Sequence, residues 1–370
     1  MAPIGWLKIV DWKHDNNEVE VSKPYIERCF STDWRKSKVI EYSTKSLNYF
    51  DSEANLAADQ MQLRFNDLDE QSPFIYYDPY ILFSDYLKAL NFFPYNSIIT
   101  SKSVVSKIMN TPFEINRERR EWTIYAELMK NNYIYLYYDK ATDDRPSALL
   151  AKQYELLKRH LFVKIPIRYY RKTTSVFSEI FGEIIRLKIG THDLYYTSEI
   201  PGVLSDYEIT REKELRTAEH VFCDVFKNDE FTPEVISYNP LWWSKAALIN
   251  AKQCVLTAYD TNTNSLSETI KFNLDKFDDI INYENLWSPN SAWNFLNDFL
   301  RFVEESVKTV ADDNKSKCLW KFQSFLNGKP FVTCETFIRA QENGKEILLP
   351  FELNPVDTVL SCHLQDVMWG

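Results

Sequence analysis

The sequence predicts a mixed α/β protein in which mixed β-sheets are flanked by helices. Some segments carry apolar residues at helical intervals of three and four, and others are short runs rich in Tyr, Ile and Val that are typical of strands. Helical and strand-like segments do not alternate strictly, which favours mixed over purely parallel sheets. Only 7 Gly occur, and neither GxGxxG nor GxxxxGK[ST] is present, which excludes the common glycine-rich phosphate loops.

The first ninety or so residues are polar and aromatic with few periodic runs, and the pattern sharpens afterwards. Apolar residues on one side predict a short helix over 103–109, and leucines at helical intervals predict a longer one over 147–162. Residues 175–187, SVFSEIFGEIIRL, are predicted to form a further helix. The Tyr-rich and Ile-rich runs 132–139 and 194–200 are predicted strands.

The second half of the chain contains the longest periodic segment. Residues 290–313 are amphipathic over several turns and predict a long helix. A shorter helix is predicted over 240–250, where a proline stands at the first helical position. Strands are predicted over 207–219, ending near Thr217, and over 253–260, 320–325 and 330–337.

Composition restricts the class of protein. The chain has 370 residues, of which 45% are hydrophobic and 15% aromatic, so it can bury a large core. Its formal net charge of −10 means that any nucleic acid must be bound by a local basic surface. The six cysteines form no CxxC pair, so we expect free thiols and no zinc knuckle. No apolar run is long enough for a membrane span, no signal peptide is recognised, and one domain over 1–370 is predicted.

Two carboxylates follow at corresponding ends of neighbouring strand-like runs, Glu199 in TSEIPG and Glu214 in EKELRTA. If 207–219 is a strand, Glu214 and Arg216 project from one face because side chains alternate along a strand. A carboxylate that holds Mg²⁺ or Mn²⁺ beside a basic residue is the layout of the PD-(D/E)xK nuclease core. Solvated or paired surface groups give the same spacing, so this pattern alone leaves both interpretations open.

The order of several motifs resembles that of the decapping exoribonuclease family known as DXO. IITSKSVVSKIMNTPFE resembles the family pattern I-T-W-R-G-x-x-T-K-I-x-x-T-P-Y-E, and THDLYYTSEIPG resembles H-x-L-Φ-Φ-S-G-E-V-D. EKELRTA resembles E-L-K-T, and LWWSKAAL resembles K-W-W-x-Q-S-x-L. The resemblance covers about residues 98–333, within a family core of 96–335 that follows a divergent N-terminal part, 1–95. It implies two mixed sheets packed together and an RNA 5′-end hydrolase site that uses a divalent metal.

This chain departs from the family at most active-site positions. Glu199 and Glu214 are retained, and we expect them to converge in one pocket with Arg216 and Lys245. The departures are Lys102 for Arg in the first motif, Gly182 or Glu183 for Glu in the second, Pro201 for Asp in the third, Arg216 for Lys in the fourth, and Lys245 for Gln in the fifth.

Each change opposes metal-dependent chemistry. Proline has no ligand oxygen and cannot donate to a sheet ladder, and arginine stays protonated and cannot accept a proton. Lysines at 102 and 245 add cations to a place that should bind cations, which would neutralise the carboxylates internally and repel Mg²⁺. No metal cofactor is therefore expected. If the enzyme is nevertheless active, Glu183, Glu199 and Glu214 would hold Mg²⁺ or Mn²⁺.

The resemblance and the departures together indicate a catalytically inactive family member that binds RNA 5′ ends, protein partners or both. Such a chain is similar to Cutoff-type homologues, which implies a nuclear protein that protects transcripts, including piRNA precursors, within a silencing or RNA-processing complex. Two alternatives stay open: an active decapping hydrolase or 5′–3′ exoribonuclease, and a purely structural interaction protein. The residues expected to contact RNA are Lys102, Arg168, Arg171, Lys172, Arg216 and Lys245.

Overall fold

The structure of the chain is a computed structural model. It describes residues 5–9, 18–33, 39–51, 97–114, 121–129, 132–138, 154, 157–158, 161–164, 166, 179–227, 240–260, 262, 265–276, 287–310, 315, 317–324, 330–342 and 345–350. The strands are β1 Gly5–Lys8, β2 Tyr25–Asp33, β3 Val39–Glu41, β4 Tyr49–Phe50, β5 Ile98–Ser101, β6 Thr123–Met129, β7 Tyr133–Tyr138, β8 Phe162–Val163, β9 Glu179–Ile189, β10 His192–Glu199, β11 Gly202–Leu204, β12 Glu219–Lys227, β13 Ala251–Asp260, β14 Ser265–Asn273, β15 Cys318–Ser324, β16 Phe331–Glu342 and β17 Lys345–Pro350. The helices are α1 Lys102–Asn110, α2 Glu212–Leu215, α3 Pro240–Leu248 and α4 Pro289–Lys308.

Within the described part of the chain these strands form two mixed sheets, as predicted. The larger sheet is 11-stranded, in the order β1-β16-β15-β6-β7-β5-β10-β9-β2-β3 with β17 also paired to β16. The smaller sheet is 6-stranded, in the order β14-β13-β12-β11-β4-β8. Parallel pairs β5–β10 and β12–β13 occur beside antiparallel ones in the two sheets. One core cluster contains side chains from both, so the sheets pack against each other.

Local sequence signals determine the helix ends. α1 begins after Ser101, whose hydroxyl accepts a hydrogen bond from the Val104 N–H. α4 begins after Ser288 in the same way, and Pro289 occupies its first turn. Its buried face packs into the core, with Phe299 in edge contact with Trp122. The predicted helices 103–109, 240–250 and 290–313 are therefore confirmed as α1, α3 and α4.

Five predicted strands are confirmed, and one predicted helix is described only in part. The strands predicted over 132–139, 194–200, 253–260, 320–325 and 330–337 are confirmed as β7, β10, β13, β15 and β16. Of the predicted helix 147–162, the described residues Tyr154, Leu157, Lys158 and Leu161 are helical, whereas Phe162 already begins strand β8, and the rest lies outside the described residues. The predicted RNA-contacting residues Arg168, Arg171 and Lys172 also lie outside them.

The helix predicted over 175–187 is wrong, because residues 179–189 form strand β9. β9 lies in the larger sheet between β2 and β10 and pairs with both, so its backbone polar groups are satisfied from two sides. The position of Gly182 suits this strand: a Cβ there would lie 2.2 Å from an atom of the Phe30 ring on β2. Tertiary pairing thus overrides a helix-like apolar spacing.

The strand predicted over 207–219 is also wrong, since only its last residue, Glu219, lies in a strand. Residues 212–215 form the short helix α2, and strand β12 begins only at Glu219. The Glu214 carboxylate accepts hydrogen bonds from the backbone N–H groups of Thr210 and Arg211, which caps the start of this helix. Glu214 and Arg216 therefore do not share the face of a strand.

The close contact at Gly182 gives a stability prediction. Gly182→Ala should lower the free energy of unfolding by about 1–3 kcal/mol, because the added methyl group overlaps the Phe30 ring. Urea denaturation measures this change. The double variant Gly182→Ala/Phe30→Leu should lose less stability than the sum of the losses in the two single variants, because it no longer has the Phe30 ring that the methyl group overlaps. A Gly182→Ala protein as stable as the parent would show that Phe30 moves aside without cost.

Candidate functional site

The candidate site begins where the chain passes from one sheet to the other. β10 of the larger sheet ends at Glu199, and β11 of the smaller sheet begins at Gly202. Between them, Pro201 cannot donate to a ladder, and its carbonyl accepts a hydrogen bond from Asn48 Nδ2 at 3.1 Å. Gly202 allows close approach, since a Cβ there would lie 2.8 Å from the Asn48 carbonyl oxygen. Pro201 thus serves the crossover and has no side-chain oxygen to offer a metal.

Two lysines hold Glu199. Lys158 Nζ lies 2.6 Å from Glu199 Oε1 in an ion pair, and Lys102 Nζ donates to the Glu199 backbone carbonyl at 3.2 Å. Burial would raise the pKa of Glu199, but the ammonium groups of Lys158 and Lys102 outweigh it and lower the pKa below 4.5. Glu199 is therefore a carboxylate whose charge is already neutralised by the protein.

A second carboxylate beside this pair belongs to Asp224 on β12. Its Oδ2 lies 3.2 Å from Lys245 Nζ on α3, and its Oδ1 accepts from the Val225 N–H at 2.9 Å.

The pKa of Lys102 depends on its burial and on the charges of Glu199, Lys245 and Asp224. Burial lowers the pKa of Lys102 to about 8 and Lys245 adds to this effect, while Glu199 and Asp224 oppose it. We call Lys102, Lys158, Lys245, Glu199 and Asp224 the lysine cluster. Its formal charge is +1 when all five groups are ionised.

Sequence reasoning missed two members of this cluster, Lys158 and Asp224. Asp224 is a single carboxylate within the apolar run VFCDVF, and that interruption of a buried strand is a signal that could have identified it. Lys158 is one of several basic residues in an amphipathic segment, and nothing in the spacing separates it from solvated neighbours. Only its ion pair with Glu199 in the folded protein distinguishes Lys158 from the other basic residues of the segment.

Glu183 lies on the other face of the sheet from Glu199. In the β9–β10 register Gly182 is opposite Glu199, and Glu183 is opposite Ser198. Because neighbouring residues of a strand project to opposite faces, the position facing Glu199 has no carboxylate. Of the two residues considered for the second motif, the structure therefore places Gly182 there.

Glu183 instead forms a buried pair that joins the two sheets. It is 0% exposed, and its Oε1 lies 2.9 Å from His220 Nε2 on β12. Burial would lower the pKa of His220, but the Glu183 carboxylate and a hydrogen bond to the Ala218 backbone outweigh it and raise the pKa above 6.5. Among the described residues, Glu183 Oε2 has no hydrogen-bond partner.

Glu214 and Arg216 make their contacts elsewhere. The Glu214 carboxylate pairs with Arg211, whose Nε donates to it at 2.8 Å. Arg216 Nε donates to the Ile26 carbonyl at 2.9 Å, and its guanidinium lies 4.7 Å from the centroid of the Tyr25 ring. No hydrogen bond or ion pair within the described ranges joins either residue to the lysine cluster. Of the residues expected in one pocket, the structure brings Lys102, Glu199 and Lys245 together and leaves Glu214 and Arg216 outside.

Comparison with protein families identifies the fold and its lineage. Residues 167–350 match the family model described as RAI1 like PD-(D/E)XK nuclease. Residues 167–350 form a domain of this RAI1-like family. This match confirms the resemblance to the decapping exoribonuclease family and the two-sheet nuclease fold that this resemblance implied. No curated protein sequence matches this chain.

Solved structures of RAI1-like proteins share the fold at low sequence identity. Schizosaccharomyces pombe Rai1 in complex with 3′-FADP has a TM-score of 0.68 and 15% identity, over 90% of this chain and 99% of that one. Candida albicans Rai1 in complex with pU5 and Mn²⁺ has a TM-score of 0.66 and 13% identity, over 90% and 93%. Kluyveromyces lactis Dxo1 in complex with manganese has a TM-score of 0.60 and 11% identity, over 94% and 98%.

The donor set of the lysine cluster does not fit the manganese that the Candida albicans Rai1 and Kluyveromyces lactis Dxo1 structures contain. Glu199 and Asp224 are each paired with a lysine, and Pro201 and Gly182 offer no side-chain oxygen. In the described part of the chain, no group of three or more His, Cys, Asp and Glu residues is arranged to hold a metal ion.

Among the helices of the described residues, none combines the length and the apolar composition that a membrane span requires.

Proposed function

We propose that this RAI1-like chain is catalytically inactive and holds the phosphorylated 5′ end of an RNA in its lysine cluster without a metal ion. The observation that carries the proposal is the set of contacts made by Lys158 and Lys245, which place two ammonium groups on the carboxylates Glu199 and Asp224. With Lys102 beside them, the cluster has one positive charge more than negative. A phosphate brings the negative charge that such a cluster lacks.

Lysines can bind a phosphate and still leave it intact. Ammonium groups orient phosphate oxygens through charge-assisted hydrogen bonds. They do not generate a hydroxide at neutral pH, which is what a bound metal supplies in hydrolases. The cluster is also partly open to solvent, since the side chains of Glu199 and Lys245 are 37% and 34% exposed. Because the lysines orient phosphate oxygens and generate no hydroxide, we expect binding without hydrolysis.

The competing enzyme hypothesis required Glu183, Glu199 and Glu214 to hold Mg²⁺ or Mn²⁺ together. Glu183 pairs with His220 on the opposite face of the sheet, and Glu214 pairs with Arg211. That ligand set therefore finds no support in the arrangement of these side chains. The contacts favour the inactive form of the family fold.

The biological role that we propose follows from family membership and the same cluster. A protein that covers a 5′ phosphate without cleaving the RNA would protect that transcript from processing. We propose that it acts in the nucleus, with protein partners of an RNA-processing or silencing complex, in the manner of Cutoff-type homologues. A protein that makes only protein contacts is the outcome if RNA binding is absent.

Filter binding of a short RNA in EDTA tests this proposal, with 5′-phosphate and 5′-hydroxyl forms compared. We expect the 5′-phosphate form to bind more tightly, and Lys245→Glu to weaken that form by about tenfold or more through charge reversal. Affinity should fall with salt, with a slope of about −0.7 per phosphate neutralised. Lys308→Glu is the matched control, because Lys308 is 71% exposed on α4 and makes its ion pair with Glu304.

Three results would overturn the proposal. Equal binding of the two RNA forms would show that the 5′ phosphate is not recognised. Equal effects of Lys245→Glu and Lys308→Glu would place RNA outside the lysine cluster. Hydrolysis of the RNA on addition of Mn²⁺ would restore the enzyme hypothesis.

A further inference from the structure

A cavity of about 50 Å³ is lined by residues of β2 and β9 from the larger sheet and of β12 from the smaller one. The lining side chains that can recognise a ligand are Glu183, His220, Arg216, Ile26, Ile185 and Ile249. None of the five residues of the lysine cluster, all of which the structure describes, lines this cavity. The cavity is therefore separate from the cluster that we propose to hold the RNA 5′ end.

Glu183 brings an unused hydrogen-bond acceptor to this cavity. Its Oε1 lies 2.9 Å from His220 Nε2, and its Oε2 has no hydrogen-bond partner among the described residues. Because Glu183 is 0% exposed, bulk water does not replace the missing bond. A buried carboxylate oxygen without a donor costs free energy, so a ligand that donates to Oε2 makes a contact that the free protein lacks.

Arg216 brings hydrogen-bond donors to the same cavity. Its Nε donates to the Ile26 carbonyl at 2.9 Å, and its guanidinium lies 4.7 Å from the centroid of the Tyr25 ring. These two contacts hold the guanidinium beside the cavity and leave its terminal N–H groups to donate to a ligand. Arg216 and Tyr25 are both exposed, so they mark the side on which the cavity meets solvent.

The charges around the cavity disfavour simple ions. The Glu183 carboxylate and the Arg216 guanidinium cancel, and a protonated His220 adds one positive charge, so a second cation gains no net attraction. An anion would meet the Glu183 carboxylate. A neutral group that donates at one atom and accepts at another satisfies Glu183 and Arg216 together.

The size of the cavity selects among neutral groups of this kind. One water needs about 10–15 Å³ of such space, so the cavity accommodates roughly three to five heavy atoms and is too small for a nucleobase. A carboxamide with its neighbouring carbon falls within this range, and that carbon suits the apolar walls of Ile26, Ile185 and Ile249. We propose that this cavity binds a primary carboxamide group, as carried by asparagine and glutamine, with its N–H on Glu183 and its C=O on Arg216.

Methyl NMR with acetamide and acetone tests this proposal. The two molecules have nearly the same size and shape, but only acetamide can donate a hydrogen bond to Glu183. We expect acetamide to shift the δ1-methyl signals of Ile26, Ile185 and Ile249, with a dissociation constant of about millimolar for so small a ligand. Acetone should bind about tenfold or more weakly, because it cannot make the hydrogen bond to a charged acceptor. The Ile124 methyl on β6, which does not line the cavity, should stay unchanged.

Matched variants locate the bound ligand. Arg216→Met removes the donors for the carboxamide oxygen and should weaken acetamide binding by about threefold or more. Ala218→Leu enlarges a side chain of the cavity wall and should abolish binding. Arg211→Met is the control and should leave the affinity unchanged, because Arg211 is 77% exposed and pairs with Glu214 outside the cavity. Circular dichroism establishes that each variant is folded, and Arg216→Met decides the question if Ala218→Leu does not fold.

Two further ligands distinguish the sources of the carboxamide. N-acetylglutamine methylamide carries the group on an uncharged peptide unit, as a partner protein would, and free glutamine carries it on a charged amino acid. Binding of the capped form more tightly than acetamide would assign the cavity to a side chain of a partner. Tightest binding by free glutamine would assign it to a small metabolite.

Acetone that binds as tightly as acetamide would overturn the proposal, because Glu183 would then recognise no donor. Isoleucine signals that neither molecule shifts would also overturn it. Equal acetamide binding by the parent and by the folded Arg216→Met and Ala218→Leu variants would place the ligand outside this cavity. The measurement contains no RNA, so its result is independent of the filter-binding test in EDTA.

Discussion

Replacing His220 by leucine is expected to lower the free energy of unfolding by about 3–5 kcal/mol, because it leaves the Glu183 carboxylate buried without its partner. Glu183 is 0% exposed and His220 is 4% exposed. Their 2.9 Å contact joins β9 of the larger sheet to β12 of the smaller one. Glu183 Oε2 already lacks a hydrogen bond among the described residues. Without His220, nothing described would therefore offset the cost of burying the Glu183 carboxylate. Urea denaturation at pH 6 measures the change.

The control for this prediction removes both partners. In Glu183→Leu/His220→Leu no charge remains buried, so the double variant should be more stable than His220→Leu alone. A double variant that loses the sum of the two single effects would show that the pair is not coupled.

The same pair predicts a pH dependence of stability. The folded-state pKa of His220 is raised above the ordinary 6.5. The contribution of the Glu183–His220 pair to the free energy of unfolding is therefore fully present below about pH 6.5, and it is lost as the pH rises through the folded-state pKa of His220. His220→Leu should lack this component. An identical pH profile in parent and variant would contradict the assignment.

Affinity for a 5′-phosphorylated RNA is expected to fall by about tenfold as the pH rises from 7 to 9. Burial lowers the pKa of Lys102 to about 8, so this ammonium group loses its proton within that range. A bound phosphate favours the charged form of Lys102, so binding is supported below the pKa and weakened above it. A charge-assisted hydrogen bond of about 1.5–3 kcal/mol is lost with the proton, which supports a change of this size.

Filter binding in EDTA at several pH values measures this effect. The second pKa of a phosphate monoester is near 6, so the RNA end itself changes little above pH 7. Lys102→Met should bind more weakly at pH 7 and show a much flatter profile between pH 7 and 9. An unchanged pH dependence in Lys102→Met would assign the titration to another group.

The sequence alone determined the parts of this protein that depend on local signals. Apolar periodicity predicted α1 and α4, and motifs in the right order predicted the family and the two-sheet fold. The substitutions of Arg by Lys102 and of Gln by Lys245 were also readable, because each lies within a motif that aligns without a shift. These features need only residues close together in the chain.

Only the tertiary structure decided which carboxylates and cations meet. The β9–β10 register sets Gly182 opposite Glu199 and turns Glu183 toward His220, a choice that a shift of one residue would reverse. Strand β12 begins after α2, so Asp224 and not Glu214 stands beside Lys245. Lys158 reaches Glu199 from 41 residues away along the chain. Register and long-range pairing arise from packing between distant segments, and spacing along one segment carries no record of them.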